Sequence, residues 1–303
     1  MKKTPDFDAA ESFLAAHARV LDRRAFQRLF AGGAPGPVRD AVAAYRNADG
    51  GFGHGLEPDC RAAASQPAAV EMALRIMHSC DAWDERLARD AVDWLAAVAP
   101  AQGGAAFVEA SVSEGPHAPW WVPEDGHPAS LIQTGQIAGL LYARGLAHPW
   151  LDRAAEVMWS RIGQLSKAGG YELIGVVSFL DQVPDRRRAE AALEQIAPLL
   201  APSRVALDPG TGTPEAGVSG AGDSGAGEPA HTPLDFAPLP GSIARRLFDA
   251  DTMEACLDRL AAGQRDDGGW MFDWPSWSPA AESDWRGFLT VDALRVLRAN
   301  GRA

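Results

Sequence analysis

Acidic side chains recur in the loops before three of the predicted helices, and they are the residues best suited to acid–base chemistry. They form the pairs Glu57 and Asp59, Glu124 and Asp125, and Glu282 and Asp284. A buried, protonated carboxyl group can act as a general acid, whereas a cluster of carboxylates attracts a cationic ligand. Acids at such positions also cap helices and oppose the helix dipole, which is the alternative for each of them. The candidate catalytic residues are Glu57, Asp59, Glu124, Asp125 and Asp284.

Tryptophan is the second unusual feature, because four of the ten tryptophans fall within the sixteen positions from Trp270 to Trp285. An aromatic face stabilises a cation, and it also suits the apolar face of a sugar. Trp270 directly follows paired glycines, so we expect it to be structural. The candidate binding residues are the tryptophans in loops, namely Trp120, Trp121, Trp274 and Trp277.

Two histidines, His54 and His127, lie in loops beside the acids. A histidine next to a carboxylate titrates near neutral pH and can carry protons, although a surface histidine can equally have no role. Both are candidate substrate-binding residues. Cys60 and one of these histidines could in principle bind zinc. Zinc ligands, however, are usually spaced more closely in sequence than these residues are. We therefore expect no metal site, and we expect no cofactor.

These side chains have to be positioned by helices, because apolar residues recur at spacings of three and four along most of the chain. Only the segment around 107–112 resembles a strand. The pattern predicts an all-α protein of about ten to twelve helices. The predicted helices lie at 8–30 (one broken helix or two), 38–45, 66–78, 86–98, 129–145, 150–166, 171–182, 186–200, 251–263 and 287–299.

Residues 203–242 interrupt this pattern, since they are rich in glycine, proline, serine, threonine and alanine. Such a composition buries too little apolar surface to offset the entropy that ordering would cost. We expect a flexible insertion, with a lid over a pocket as the alternative. Because the helical patterns on both sides are alike, we expect residues 1–303 to form a single domain.

An internal repeat is the most informative feature of the sequence. Segments 49–52 (DGGF) and 267–270 (DGGW) each follow a polar turn and precede an acidic, proline-containing loop and a helix. A weaker copy begins at Gly103 and Gly104, with its aromatic residue displaced to Phe107. Paired glycines allow positive φ and close backbone approach, so the aromatic side chain can turn back and pack. Units of this kind bury their apolar faces against their neighbours, and they stack or close into a ring.

Segment 264–270 (QRDDGGW) resembles the glutamine–tryptophan (QW) repeat of squalene and oxidosqualene cyclases. Segment 50–55 (GGFGHG), with the helix start at 67–74, is similar to the repeat of protein prenyltransferase β subunits. Both groups belong to the terpenoid cyclase and prenyltransferase toroid superfamily, which shares the prenyltransferase and squalene oxidase repeat. The resemblance implies an α/α toroid of two concentric helix layers with a pocket at one end.

Three motifs that carry the chemistry of those families are absent from this sequence. They are the Asp-x-Asp-Asp acid of class II cyclases, the Asp-Asp-x-x-Asp metal site of class I synthases and the prenyltransferase zinc site. What the resemblance implies is an apolar, tryptophan-lined pocket in which an acid starts the cyclisation or isomerisation of a prenyl or terpenoid substrate. A carbohydrate-active or carbohydrate-binding toroid remains an alternative. A non-catalytic module that binds a partner is another.

The formal net charge of −12 disfavours nucleic-acid binding, which needs a cationic surface against the phosphates. No apolar run approaches the roughly 20 residues that cross a bilayer, and no apolar segment follows the N-terminal lysines. We therefore expect a cytoplasmic protein with a small-molecule ligand, no nucleic-acid partner and no transmembrane segment. The oligomeric state stays open.

Overall fold

The computed structural model describes residues 4–200 and 231–303, and its regular secondary structure is helical throughout these ranges. The predicted all-α fold is confirmed. The α-helices in the described residues are α1 (Phe7–His17), α2 (Val20–Phe30), α3 (Gly36–Ala43), α4 (Pro67–Ser79), α5 (Glu85–Val98), α6 (Leu131–Arg144), α7 (Pro149–Gly163), α8 (Gly170–Gln182), α9 (Arg186–Ile196), α10 (Pro233–Phe236), α11 (Ala250–Ala262) and α12 (Pro279–Ala299). In place of the strand expected around 107–112, a 3₁₀ helix spans Ala110–Glu114.

Several helices begin at a side chain that accepts a hydrogen bond from the first turn. Asp84 accepts from the N–H of Leu87 at 3.0 Å, and Ser278 accepts from the N–H of Ala281 at 3.1 Å. The cap at Ser278, with a proline at the next position, starts α12 at Pro279 instead of near residue 287. Asp284 therefore lies within α12 and does not cap it.

Helices α6 and α8 approach each other through glycines. A Cβ atom at Gly139 would overlap the carbonyl oxygen of Ser178, and one at Gly175 would overlap the carbonyl oxygen of Leu131. This close packing places α6 between α4 and α8, both of which it contacts.

The last helix packs against the first ones. Helix α12 contacts α1, α2 and α11, and one contiguous apolar core includes buried residues from α1 through α12. This contact brings loops from both ends of the sequence to one region of the molecule. The arrangement of all helices in two concentric layers stays a prediction.

The two strong repeat copies form the same turn. Gly50 and Gly268 have φ values of 94° and 91°. Each turn is closed by its aspartate, since the side chain of Asp49 accepts from the N–H of Gly51 at 2.9 Å and that of Asp267 from the N–H of Gly269 at 3.0 Å. The aromatic residue that follows is buried in both copies, and Trp270 donates its indole N–H to the Leu260 carbonyl at 2.7 Å.

The flexible insertion expected at 203–242 overlaps the described residues only at 231–242. Its residues 203–230 lie outside the described residues. Residues 231–242 contain α10, which Pro233 begins and a reciprocal capping pair between Thr232 and Asp235 supports. Leu234 and Phe236 are buried, which is the physical reason that this part is ordered.

Among the described residues, no helix is both long enough and apolar enough to cross a lipid bilayer.

Candidate functional site

The candidate site is built on residues 53–66, here called loop A, which connect the first repeat turn to α4. Most of loop A is buried. Its backbone is held from two sides, because Arg19 donates to the Leu56 carbonyl at 2.9 Å and the Asp59 carbonyl accepts from the N–H of Ala118 at 2.8 Å. The N–H of Arg61 also donates to the Pro116 carbonyl at 2.9 Å. Enclosure by the segment 115–121 therefore removes the acids of loop A from water.

Arg19, just before α2, forms a buried two-point ion pair with Asp22. Its Nε lies 2.9 Å from Asp22 Oδ2, and its Nη2 lies 3.1 Å from Asp22 Oδ1. Burial lowers the pKa of Arg19, but the Asp22 carboxylate outweighs burial and raises it overall. A charged arginine is thus available to hold loop A at all ordinary pH values.

Glu57 and Asp59 are both more than nine-tenths buried. Burial raises the pKa of Glu57 well above its ordinary value and the negative charge of Asp59 raises it further, whereas the backbone N–H groups of Cys60 and Asp59 lower it. Burial also raises the pKa of Asp59, to about 6. Both carboxyl groups therefore keep their protons to higher pH than exposed carboxyl groups do, and they titrate as an interacting pair.

Two tryptophans face the Asp59 carboxylate. The indole N–H groups of Trp285 and Trp277 lower the pKa of Asp59, in opposition to burial. Neither N–H reaches ordinary hydrogen-bond geometry with any described residue. Trp277 comes from residues 271–278, here called loop B, and Trp285 comes from α12. The carboxyl pair of loop A therefore lies against aromatic side chains from the other end of the chain.

Further aromatic rings extend this surface. Trp274 meets Trp285 edge-to-face with 5.4 Å between ring centroids, and it stacks on Phe272 at 4.5 Å. On the other side, Trp277 packs against a small apolar cluster that includes Cys60 and Trp121. The rings of Trp121 and Phe107 are stacked at 4.8 Å, and Trp120 packs against the same cluster.

Asp284 joins the wall of the site through an ion pair. Arg61 Nη1 lies 2.5 Å from Asp284 Oδ2, which connects loop A to α12. The side chain of Asp284 is 14% exposed and that of Arg61 is 31% exposed. This ion pair positions α12 against loop A.

The remaining predicted residues lie apart from the carboxyl pair. Glu124 and Asp125 are exposed on the loop before α6. His54 is exposed, and its Nε2 lies 2.8 Å from Asn47 Oδ1. His127 Nε2 lies 3.0 Å from Glu109 Oε1. The structure thus brings together Glu57, Asp59, Asp284, Trp120, Trp121, Trp274 and Trp277, and it leaves out Glu124, Asp125, His54 and His127.

Sequence reasoning missed three residues of this region, namely Arg19, Arg61 and Trp285. Trp285 is adjacent to the candidate Asp284 and belongs to the tryptophan-rich segment. These two features could have identified it as a site residue. Arg61 follows Asp59 by two positions, which also marks it. Arg19 reaches loop A from a distant part of the chain, and no local pattern announces that contact.

Neither of two cavities in the described residues is lined by Glu57 or Asp59, although the larger one touches the end of loop A. A groove of about 530 Å³ is bordered by Asn47, Asp49, Ser65, Glu109 and Ser111. Its polar groups already bond one another, as when Ser65 donates to Asp49 at 2.8 Å. A second space, between α2, α4 and α12, holds only about 20 Å³. Within residues 4–200 and 231–303, no group of three or more His, Cys, Asp or Glu side chains is arranged to hold a metal ion.

The sequence matches no family model and no curated protein. Among solved structures, it is similar to the crystal structure of a protein from Actinoplanes, with a TM-score of 0.54 and 16% sequence identity. The alignment covers 97% of this chain and 89% of that chain. At this identity the similarity shows the fold alone.

Proposed function

We propose that this protein is an enzyme in which the Glu57–Asp59 pair provides general acid catalysis at a tryptophan-lined site. The observation that carries the proposal is the pair itself, two buried carboxyl groups with raised pKa values beside Trp277 and Trp285. Glu57 holds the proton to be donated, and the Asp59 carboxylate stabilises the positive charge that develops. Environments that separate the roles of two neighbouring carboxyl groups are typical of acid–base sites.

A prenyl or terpenoid substrate is part of the proposal, as the resemblance to terpenoid cyclases and prenyltransferases implies. Protonation by Glu57 would start a cyclisation or isomerisation, and the faces of Trp274, Trp277 and Trp285 would stabilise the cation. The repeated turns and the packing of α12 on α1 and α2 support the toroid on which this reading rests. The expected cytoplasmic location and the absence of a nucleic-acid partner remain part of the proposal.

A carbohydrate substrate is the second candidate. The specific observation in its favour is that indole N–H donors face a carboxylate in the same small region as a protonated carboxyl group. Sugars present hydroxyl groups to such donors and acceptors, and paired carboxyl groups are the usual catalysts of glycoside hydrolysis. A non-catalytic binding module would lack any dependence on Glu57.

The test begins with native mass spectrometry and extraction of the purified protein, which identifies a co-purified small molecule. Prenyl compounds and glycosides are then offered, and turnover is measured by mass spectrometry of the products. We expect Glu57→Gln and Asp59→Asn each to reduce turnover by about 100-fold or more, because loss of a general acid or base has that effect. Glu124→Gln is the matched control on an exposed acid. Undiminished turnover in both site variants would refute the proposal.

A further inference from the structure

The groove of about 530 Å³ is separate from the carboxyl pair and has no part in the proposed function. It is bordered by the first repeat turn, the end of loop A, the helix α5 and the segment 109–111. Its volume falls within the range of about 300–1,000 Å³ that is typical of sites for small molecules. The groove is therefore a candidate for a ligand of its own.

A buried glutamine connects the two sides of the groove. Gln66 is fully buried, and its Oε1 accepts from the N–H of Glu109 at 2.9 Å while its Nε2 donates to Ser111 Oγ at 2.9 Å. On the side of loop A, Ser65 donates to Asp49 Oδ1 at 2.8 Å. These bonds fix the polar side chains of the groove before a ligand arrives, which lowers the entropy that binding would cost.

The hydrogen-bonding capacity that these bonds leave over specifies the chemistry of the ligand. Ser111 accepts from Gln66, and no described residue accepts its hydroxyl hydrogen. Asp49 Oδ1 accepts from Ser65 and from the N–H of Gly51, which leaves Oδ2 as an acceptor. Glu109 keeps further lone pairs besides its contact with the chain. The groove therefore offers a donor together with acceptors. A hydroxyl group matches both, whereas an ammonium group only donates.

Apolar side chains complete the groove, since Trp94 and Val98 of α5 border it together with several alanines. No arginine or lysine of the described residues borders it, so its carboxylates would repel an anionic ligand. We propose that the groove binds a neutral saccharide. Its hydroxyl groups accept from Ser111 and donate to Asp49 and Glu109, and its C–H surface packs against Trp94. This inference does not depend on the acid role proposed for loop A.

The test titrates the full chain with maltose, cellobiose and lactose by saturation-transfer NMR, with putrescine as the cationic probe. We expect at least one disaccharide to bind at millimolar concentration or below. Ser111→Ala should weaken that sugar about fivefold, because it removes one neutral hydrogen bond, and Glu109→Ala about tenfold or more, because it removes a charged acceptor. Ser113→Ala and Glu114→Ala are the matched controls, since both residues are exposed on the same 3₁₀ helix and do not border the groove.

Sugar binding that only the two groove variants weaken supports the proposal. Tighter binding of the corresponding hexasaccharide then identifies a glycan chain as the source, and equal binding identifies a free sugar. Silence of all three disaccharides at millimolar concentration overturns the inference, as does binding of putrescine alone or equal weakening by the control variants. Glu57→Gln should leave this binding unchanged, so loss of turnover and loss of sugar binding are distinguishable. If Glu57→Gln abolishes sugar binding, the sugar occupies the carboxyl pair and not the groove.

Discussion

The first and last copies of the repeat share a turn but differ in the loop that follows. Gly50 and Gly268 have nearly equal positive φ values, and an aspartate closes each turn in the same way. Loop A, after the first turn, is mostly buried, whereas loop B, after the last turn, exposes Met271 and Asp273. The turn is therefore a repeated structural unit, and the burial of the loop that follows depends on the segments packed against it.

The two repeat copies also differ in the burial of the arginine that hydrogen-bonds to their backbone. Arg19 is buried, pairs with Asp22 and donates to the backbone of loop A. Arg286 pairs with Asp267 in the last turn at 2.7 Å and donates to the Trp270 carbonyl at 3.2 Å, but Asp267 is 44% exposed. Water can replace the partner of Arg286 more easily than that of Arg19, so the two contacts should differ in energy.

The largest expected effect follows from this difference. Arg19→Met should reduce the free energy of unfolding by about 3–5 kcal/mol, because it leaves the Asp22 carboxylate buried without its partner. Arg286→Met should cost about 1 kcal/mol, since its partner is solvated. Urea unfolding measures both. If the two substitutions reduced the free energy of unfolding equally, the difference in burial between the two ion pairs would not determine their stabilising effect.

Glycine substitutions test whether the two turns are equally constrained. A Cβ atom at Gly268 would overlap the Ala9 carbonyl oxygen, and one at Gly50 would lie 2.7 Å from the Asp90 carbonyl oxygen. We expect Gly268→Ala and Gly50→Ala each to cost about 2–4 kcal/mol, because positive φ and steric overlap add. Thermal or urea unfolding measures the loss.

Gly301→Ala is the control for these two variants. Gly301 has φ of 68° but no atom within 4 Å of an added Cβ, so only the backbone term of about 1 kcal/mol remains. If Gly301→Ala is as costly as Gly268→Ala, then close packing on the neighbouring helix is not what holds the turn.

Local patterns predicted the helices and the repeat turn, because both depend on residues close in sequence. Local patterns could not predict which of the candidate acids are buried. Glu57 and Glu124 occupy similar positions before a helix, yet Glu57 is buried and Glu124 is exposed. The difference arises from contacts between distant segments, such as Ala118 with Asp59 and Arg61 with Asp284. Burial at this site is a property of the tertiary structure, and spacing along the chain does not encode it.

The pH dependence of stability tests the burial of the loop A acids directly. The pKa of Asp59 is about 6 in the folded protein and about 3.9 when unfolded, so the folded state binds more protons between these values. The contribution of Asp59 to stability therefore falls as pH rises from about 4 to 6, and the raised pKa of Glu57 makes stability fall in the same direction at higher pH. Asp59→Asn removes the ionised form, and at pH 8 it should raise the free energy of unfolding by about 3 kcal/mol relative to the parent.

The double variant Glu124→Gln with Asp125→Asn is the control, because both acids are exposed and neither should alter the dependence on pH. Melting temperatures between pH 4 and 8 provide the comparison. If Asp59→Asn alone raises the melting temperature above pH 6, the ionised Asp59 destabilises the folded protein. A destabilising buried charge in loop A is what we expect of a catalytic carboxylate. A loss of stability in Asp59→Asn at every pH would instead make the Asp59 carboxylate a structural partner of the two indole N–H groups, and the acid–base role of the pair would then lose its support.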